Sequence, residues 1–397
     1  MRFERCHIPV GAAWSSPFAR WQGPLAPFSS LDVAVAVTAR AMRERAIEPG
    51  DLSCFVLGMT IPQMGSFYAA PTVASRIGAP HLGGPTIAQA CATSVAALCA
   101  AAATVESDGG LALTVLTDRT SNGPHVVYPG VGGAGGRVDR EDLPLDSFAA
   151  DPLTGEAMIA TAEAVAAEGG FPREALDEVA ALRYEQYGRA LADDRAFQRR
   201  YMVAVELEDA RGRPAVSVDA DVGVRATTHD DLRALRPSRP GGVVTGGTQT
   251  HPADGTAGLL VTTAERAKEL GRDGAVARLV SSGTARTEPA RMPKAPAPAA
   301  RAALDAAGLG PGDLDLVTTH NPFAVNDLWL ERELGIAQER INPFGSSLVY
   351  GHPQAPTGAR AIVELIEALA LRGGGTGLFT GCAAGDTGAA VVVRVDG

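Results

Sequence analysis

The chain has 397 residues, of which 46% are hydrophobic and 20% are charged. This length and composition exclude a disordered protein and allow two or three core units or one large duplicated fold. Lys and Arg number 35 against 45 Asp and Glu, and the net charge of −10 disfavours a general nucleic-acid binder. The first residues carry charges but no apolar core, so we predict no secretory signal and a cytoplasmic protein.

One uncharged stretch, residues 82–105, is long enough for a membrane helix. Its beginning, Gly83-Gly84-Pro85, and the later Gln89 and Thr93 favour a helix buried in protein, without membrane association. The five cysteines form no CxxC pair, which predicts neither a disulfide framework nor a zinc site. They are Cys6, Cys54, Cys91, Cys99 and Cys382.

Apolar periodicity predicts helices that alternate with short buried strands. The predicted helices cover residues 31–46, 92–105, 156–168, 173–192, 299–307 and 359–371. The predicted strands cover residues 54–58, 111–116, 259–261, 276–280, 314–318 and 389–395. The alternation predicts a layered α/β fold with helices packed against sheets. It stops between residues 119 and 240 and then returns, which indicates an insertion and an internal duplication.

Gly130, Gly132 and Gly135 match the GxGxxG pattern of dinucleotide-binding loops. That motif needs a strand before it and a helix after it, and the sequence predicts neither here. We therefore interpret the segment as a flexible loop. The chain also lacks the GxSxG of serine hydrolases and the HExxH of metalloproteases.

Cys91 directly precedes the predicted central helix. A thiol at a helix N-terminus meets the positive end of the helix dipole, which favours the thiolate. The alternative is a small hydrophobic core residue, the usual role of a buried cysteine, and position alone supports both interpretations. Cys99 lies two turns later on the same helix without a polar neighbour, and we predict that it is a core residue.

Two histidines and a second cysteine stand at strand or loop ends in the last third of the chain. His320 follows a predicted strand, His352 lies in a loop before the last long helix, and Cys382 precedes the small-residue turn 383–388. Such ends are where α/β proteins usually build their sites. A single histidine is more often structural, so the functional interpretation depends on the three residues together.

These residues stand in motifs that resemble the thiolase family over nearly the whole chain. The motifs are segments 158–165 and 173–178, Thr245-Gly246-Gly247 with Asp254-Gly255, the proline-spaced segment 292–304, Asn342-Pro343-Phe344-Gly345-Ser346-Ser347, Gly351-His352-Pro353 and Thr357-Gly358-Ala359-Arg360. Several motifs in the family's order are far more specific than any one of them.

The resemblance implies a duplicated α/β thiolase fold of five αβαβα layers with an inserted loop domain. Residues 1–118 with 241–270 form the predicted N-terminal half, residues 119–240 the coenzyme A-binding loop domain, and residues 271–397 the C-terminal half. It also implies formation or cleavage of carbon–carbon bonds on acyl-coenzyme A thioesters. Coenzyme A is then a substrate, and no permanently bound cofactor or metal is expected.

By the same resemblance, Cys91 is the nucleophile that carries the acyl group. His352 activates Cys91 and donates to the thioester oxygen, and Cys382 is the acid/base at the α-carbon. The division of labour is chemically reasonable, because a thioester α-proton is removed at neutral pH only if donors stabilise the enolate oxygen, each contributing roughly 3–4 kcal/mol. Capture on Cys91 splits the exchange into two ping-pong halves.

Several positions depart from the family pattern. His320-Asn321-Pro322-Phe323 stands where many members have Asn-Glu-Ala-Phe, and a histidine there resembles the sterol-carrier-protein type of thiolase. His320 is expected to hold the water of the first oxyanion hole. Ala384 replaces a glycine whose backbone N–H, with that of Cys91, forms the second oxyanion hole in the family. An alanine is tolerable there only if its backbone needs no positive φ.

Two residues match family positions near coenzyme A. Arg225 corresponds to a loop-domain arginine near the nucleotide, and Thr250 takes the place of a serine near the pantetheine. The alternative for Arg225 is a solvated surface charge, which is common for arginine.

Three functional hypotheses follow from the sequence. The first is a thiolase-type acyltransferase that thiolyses 3-oxoacyl-CoA or condenses acyl-CoAs through an acyl-Cys91 intermediate. The second is a condensing enzyme that uses a carrier protein, and the third is a non-catalytic acyl-CoA-binding or scaffold subunit. The family implies acyl-CoA substrates and a homodimer or homotetramer, and a small accessory protein is a further candidate partner. Neither nucleic acid nor membrane is an expected partner.

Overall fold

Strands and helices alternate along the computed structural model, which describes residues 1–132, 136–209 and 211–396. The strands are β1 (His7–Pro9), β2 (Trp14–Ser15), β3 (Ala19–Arg20), β4 (Cys54–Gly58), β5 (Thr86–Ile87), β6 (Leu111–Arg119), β7 (His125–Pro129), β8 (Val138–Asp142), β9 (Val205–Glu208), β10 (Pro214–Val218), β11 (Ala253–Thr262), β12 (Val276–Arg286), β13 (Leu316–His320), β14 (Gly375–Ala383) and β15 (Thr387–Val395). The helices are α1 (Ser30–Glu44), α2 (Ala69–Arg76), α3 (Thr93–Asp108), α4 (Leu143–Ala149), α5 (Met158–Gly169), α6 (Arg173–Arg195), α7 (His229–Arg233), α8 (Ala264–Leu270), α9 (Pro296–Ala307), α10 (Ala324–Leu334), α11 (Ser347–Tyr350) and α12 (Ala355–Leu371).

The helices and strands predicted from periodicity are confirmed, with shifts at their ends. Helix α1 begins where expected because the Ser29 side chain accepts a hydrogen bond from the Leu31 N–H. Helices α9 and α12 begin three and four residues earlier than predicted, because each has a proline in its first turn (Pro296 and Pro356), where the missing N–H costs nothing.

The main sheet consists of two halves that are joined by β1. Its order is β13-β14-β15-β12-β1-β11-β6-β4-β5, and β1 pairs with both β11 and β12. In one half β6 runs antiparallel to β11 and parallel to β4, and in the other β14 runs antiparallel to β15 and parallel to β13. This repetition is the internal duplication expected from the sequence.

Helices cover both faces of each half-sheet. Helix α1 packs on β6 and β11, α9 packs on β12 and β15, and the two long apolar helices α3 and α12 pack against each other between the halves. The order helix, half-sheet, helix pair, half-sheet, helix is the five-layer αβαβα arrangement. The predicted fold class is therefore confirmed, whereas the predicted domain boundaries stay predictions.

Helix α3 is long and apolar enough to cross a membrane by length and composition, as the uncharged sequence suggested. Half of the most apolar stretch of α3 is buried in the protein, and α3 packs on β4, β6 and β11. Cys99 on this helix is half-buried and packs against the main hydrophobic core, as predicted. The prediction that it has no polar neighbour is wrong, because Ser282 lies close enough to affect the pKa of its thiol.

The glycine-rich segment has a different setting from the one predicted. Strand β7 does precede Gly130, but it forms a hairpin with β8, and a strand rather than a helix follows the glycines. Gly135 of the GxGxxG match lies outside the described residues. Without a helix N-terminus after the loop, the described part lacks the feature that binds a pyrophosphate.

Candidate active site

Cys91 lies in the tight turn that leads from β5 into α3. Ala90 before it adopts a left-handed φ of 43°, a rare conformation for a residue with a side chain. Thr93 holds the turn, since its hydroxyl accepts from the Gln89 N–H at 2.8 Å and donates to the Ala90 carbonyl at 2.7 Å. The turn leaves the Cys91 thiol half-buried at the entrance of the helix.

His352 lies beside Cys91, as the sequence motif implied. The distance from His352 Nε2 to Cys91 Sγ is 3.1 Å, and Nδ1 lies 2.6 Å from the Thr357 hydroxyl in the first turn of α12. Gly351 takes a φ of 94°, and a Cβ there would lie 2.6 Å from the ring of His251, so the chain needs glycine at this point. Both ring nitrogens of His352 are therefore occupied, which fixes the imidazole against the thiol.

Burial, and not the helix dipole, sets the protonation of this pair. It raises the pKa of Cys91 to about 12, although the backbone N–H groups of Ala384 and Cys91 point at the sulfur and act in the opposite direction. Burial also lowers the pKa of His352 to about 3. The expected resting thiolate is thus not favoured, and a neutral thiol faces a neutral imidazole at pH 7.

His320 ends strand β13 and stacks on His352, with ring centroids 4.1 Å apart. Its Nδ1 lies 2.9 Å from the Ser347 hydroxyl, while its buried Nε2 has no hydrogen-bond partner among the described residues. Burial and the neighbouring His352 hold the pKa of His320 well below its usual range. His320 is therefore a neutral ring with one nitrogen free for a substrate oxygen or a water.

One ligating atom from each of Cys91, His320 and His352 lies within 4.8 Å of the others. A thiol and two imidazoles are donors that soft divalent cations accept. Two of these residues, Cys91 and His352, also line the cavity of the site, so a bound cation and a reacting thiol would compete for them.

Cys382 lies inside β14, near its end, and not in the turn after the strand. The parallel pairing of β13 with β14 places His320 opposite Gly381, so Cys382 stands one residue further along. Asn326 Nδ2 donates to Cys382 Sγ at 3.3 Å. Burial and the neighbouring Cys91 keep the pKa of Cys382 well above its usual range, so its resting form is the thiol.

Cys91 and His352 open into a cavity of about 430 Å³, whereas His320 and Cys382 are not part of its lining. Cys91, His352 and Ala384 line its floor, and most of its other walls are apolar. The apolar lining comprises Ile61, Leu143, Pro144, Phe148, Met158, Met292, Pro322 and Phe323. Ala384 lies outside the left-handed region, whereas Gly385 after it has a φ of 80°, so the condition for an alanine at this position is met.

The two residues predicted to bind coenzyme A lie in different places. Thr250 lines the 430 Å³ cavity, but its hydroxyl donates to the Ser347 carbonyl at 2.5 Å. Arg225 is exposed and lines a second cavity of about 480 Å³ beside Tyr184 and Thr228. The structure therefore brings Cys91, His352, His320 and Cys382 together and leaves Arg225 apart from them.

Sequence reasoning missed three residues at the centre. Gln354 lines the cavity and contacts Cys91, and Asn326 contacts Cys382. Asp118, at the end of β6, accepts from the N–H groups of Thr60, Ile61 and Ala355, which ties a cavity wall to the start of α12. A glutamine directly after Gly351-His352-Pro353 was the one local signal available, since the other two contacts link distant parts of the chain.

The protein thus has a duplicated five-layer α/β fold, with Cys91 before one central helix, α3, and His352 before the other, α12. This combination of fold and site characterises its class. The family model of the thiolase N-terminal domain matches residues 9–265, and that of the thiolase C-terminal domain matches residues 274–395. The chain therefore belongs to the thiolase family, a family of acyltransferases, as its sequence motifs predicted.

Relatives and solved structures agree with this assignment. The acetyl-CoA acetyltransferase of Pseudomonas aeruginosa is 29% identical over 98% of this chain and 99% of its own length. The human mitochondrial 3-ketoacyl-CoA thiolase is 28% identical over 97% of both chains. The crystal structure of the Bacillus anthracis acetyl-CoA acetyltransferase has a TM-score of 0.89 and 28% identity over 99% of both chains. The human mitochondrial enzyme in complex with CoA has a TM-score of 0.88 and 25% identity over 99% of both chains.

Proposed function

We propose that the protein transfers acyl groups between acyl-CoA molecules by reversible thiolysis of 3-oxoacyl-CoA or Claisen condensation, through an acyl-Cys91 intermediate. The observation that carries the proposal is the contact between Cys91 Sγ and His352 Nε2 at 3.1 Å, with the N–H groups of Cys91 and Ala384 directed at the sulfur. Relatives named for acetyl-CoA acetyl transfer and for 3-ketoacyl-CoA support the choice of substrate.

In thiolysis, Cys91 Sγ attacks the 3-oxo carbon while His352 Nε2 takes the thiol proton. The N–H groups of Cys91 and Ala384 stabilise the oxyanion, the bond between C2 and C3 breaks, and the acyl group stays on Cys91. The neutral imidazole suits this role, because only an unprotonated nitrogen accepts a proton. Pre-aligned N–H donors of this kind contribute about 3–4 kcal/mol each.

Cys382 then gives its proton to C2 of the departing enolate, which leaves as acetyl-CoA. His320 and His352 hold the enolate oxygen, and the free Nε2 of His320 supports this assignment. In the second half, the thiol of a new CoA attacks acyl-Cys91 and its proton passes to the Cys382 thiolate. The bond between Cys91 Sγ and the acyl carbon then breaks, and His352 returns its proton to Cys91 as acyl-CoA leaves. In the condensing direction the same steps run backwards, with Cys382 as the base.

Coenzyme A enters as a substrate, and no resident cofactor is part of the proposal. Thr250 lies at the cavity and Arg225 further out, which supports pantetheine at the first and the nucleotide near the second. We propose a cytoplasmic homodimer or homotetramer. Two highly exposed apolar side chains, Met64 at 99% and Phe67 at 89%, support burial against another copy.

Intact-protein mass spectrometry with a panel of acyl-CoAs tests the proposal. We expect a mass gain of one acyl group on the wild type and none on Cys91→Ala, with a steady-state rate at least about 10⁴-fold lower in the variant. Circular dichroism checks that the variant is folded. An adduct on both proteins, or on neither with any CoA ester, contradicts the proposal, and in the second case a carrier-protein donor is tested next.

A further inference from the structure

Gln354 occupies an unusual position in the active-site cavity. It is the residue immediately before α12 and lies two residues after His352. Its backbone has a φ of 65° and a ψ of −105°, which a residue with a side chain rarely adopts and which surrounding structure must stabilise. Asp118 provides part of that support, because its carboxylate accepts from the N–H of the next residue, Ala355, at 2.9 Å.

This conformation aims the Gln354 side chain at the nucleophile. Cys91 Sγ lies 3.3 Å from Gln354 Oε1, and the carboxamide is also close to His352. The other end of the amide, Nε2, donates to no protein acceptor within the described residues, and Gln354 is part of the cavity lining. An N–H group that faces the cavity without a protein acceptor is available to a substrate atom that accepts a hydrogen bond.

The absence of charged side chains among the described lining residues of the cavity indicates that the accepting substrate atom is neutral. None of the described residues that line the cavity is a lysine, an arginine or a carboxylate, and His352 is neutral. An acyl chain with its own carboxylate would be buried there without a counterion, which is unfavourable. A neutral oxygen, as in a hydroxyl or keto group, carries no such cost and fits the free N–H.

We propose that Gln354 is a specificity-determining residue that binds a neutral oxygen substituent near the thioester of the acyl group on Cys91. Because Oε1 is 3.3 Å from the sulfur, the carboxamide lies beside the carbons that directly follow the acyl carbonyl. The substrates are then acyl-CoAs with a hydroxyl or keto group at one of these carbons, and simple alkanoyl-CoAs are poorer acyl donors. The inference rests on the proposed acylation of Cys91 and specifies its substrate class.

Butanoyl-CoA and 3-hydroxybutanoyl-CoA form a matched pair that differs by one hydroxyl group. We expect the wild type to acylate about 10-fold faster with the better enantiomer of the hydroxyacyl ester, as measured by time-resolved intact-protein mass spectrometry. In Gln354→Met, which keeps the length of the side chain but removes the amide, this ratio should fall to about one. A general loss of packing would slow both esters and leave the ratio unchanged.

Gln249→Met is the matched control, since Gln249 lines the same cavity but its Nε2 already donates to Ser238. We expect its ratio to stay near that of the wild type. The inference is overturned if the wild type acylates equally with both esters, or if Gln354→Met keeps the preference. Should that variant not fold, Gln354→Leu and the wild-type ratio still decide the question. Absence of any acyl adduct instead refutes the proposed function itself, and this inference with it.

Discussion

Helices α3 and α12 occupy equivalent places in the two halves of the fold, but they contribute differently to the site. Each begins at the cavity after a left-handed residue that carries a side chain, Ala90 with a φ of 43° before Cys91 and Gln354 with a φ of 65° before α12. The start of α3 supplies the nucleophile and the backbone N–H of the same residue, Cys91. The start of α12 supplies His352 and the Thr357 hydroxyl that orients it.

The two helices also differ in burial. Residues 355–369 of α12 are all buried, whereas α3 exposes part of its surface. Beneath α12, Arg360 forms ion pairs with Asp221 at 2.7 Å and with Glu364 at 2.9 Å, which connects the helix to the inserted segment. The difference indicates that the group handling the thiol proton is fixed in the core, while the nucleophile meets substrate at a more open edge.

The first test removes His352, the proton acceptor that the segment before α12 supplies. We expect His352→Ala to slow acylation of Cys91 by about 10²–10⁴-fold, the usual contribution of a general base. Stopped reactions followed by mass spectrometry measure the rate. Thr357→Val keeps the imidazole but removes its Nδ1 partner, and we expect a loss of only about 10-fold. Equal losses in both variants would contradict a direct role for His352.

The second test separates the two halves of the reaction. We expect Cys382→Ala still to acylate Cys91, because a CoA thiolate can leave without a proton from Cys382, but to lower condensation by at least about 10²-fold, because the α-carbon step has no other acid/base. Mass spectrometry follows the first step and product formation follows the second. Full condensation by Cys382→Ala would overturn the role proposed for this thiol, and failure to acylate would assign it to the first step instead.

The third test concerns the protonation state of Cys91 and His352. Because burial raises the pKa of Cys91 to about 12, the thiolate fraction should grow about tenfold per pH unit from pH 7 to 10. We expect the iodoacetamide alkylation rate of the Cys91 peptide to rise accordingly without a plateau. Peptide-level analysis separates Cys91 from the half-buried Cys54 and Cys99. A plateau below pH 8 would instead indicate a resting thiolate–imidazolium pair.

Local sequence signals were sufficient for much of the fold. The apolar run 54–58 coincides with β4, and the extent of α6 followed from its periodicity up to residue 192, where the backbone leaves helical geometry. The reacting residues were found through motifs, because their chemistry requires particular residue types next to particular turns. Helix starts were predicted too late where a proline stood in the first turn, as in α12.

The remaining features depend on contacts between distant segments. The place of Cys91 at a helix N-terminus predicted a thiolate, but the thiol is enclosed by His352, Gln354 and Ala384, which come from distant parts of the sequence. Asn326 reaches Cys382 across 56 positions of sequence. The left-handed φ of Gln354 has no sequence signature, since glutamine is not a residue that usually adopts it.

The smallest predicted effect concerns the contact that holds the two helices together. The Ser94 hydroxyl of α3 lies between two backbone groups of α12, donating to the Ala355 carbonyl and accepting from the Ala359 N–H at 2.8 Å. Gly358 permits this approach, since a Cβ there would lie 3.0 Å from Ser94 Cβ. In Ser94→Ala, the Ala355 carbonyl and the Ala359 N–H both lose the hydroxyl as a partner, and they can only bond to each other across the space it leaves.

We expect Ser94→Ala to lower the free energy of unfolding by about 1–3 kcal/mol, the usual cost of a lost buried hydrogen bond. Urea unfolding followed by circular dichroism measures it. Ser107→Ala makes the same change at an exposed position of α3, where we expect an effect within about 0.5 kcal/mol. Equal stabilities of the two variants would mean that α12 closes its own hydrogen bond without cost. In that case the Ser94 contact would not be needed to position α12, and α12 would hold His352 in place independently of α3.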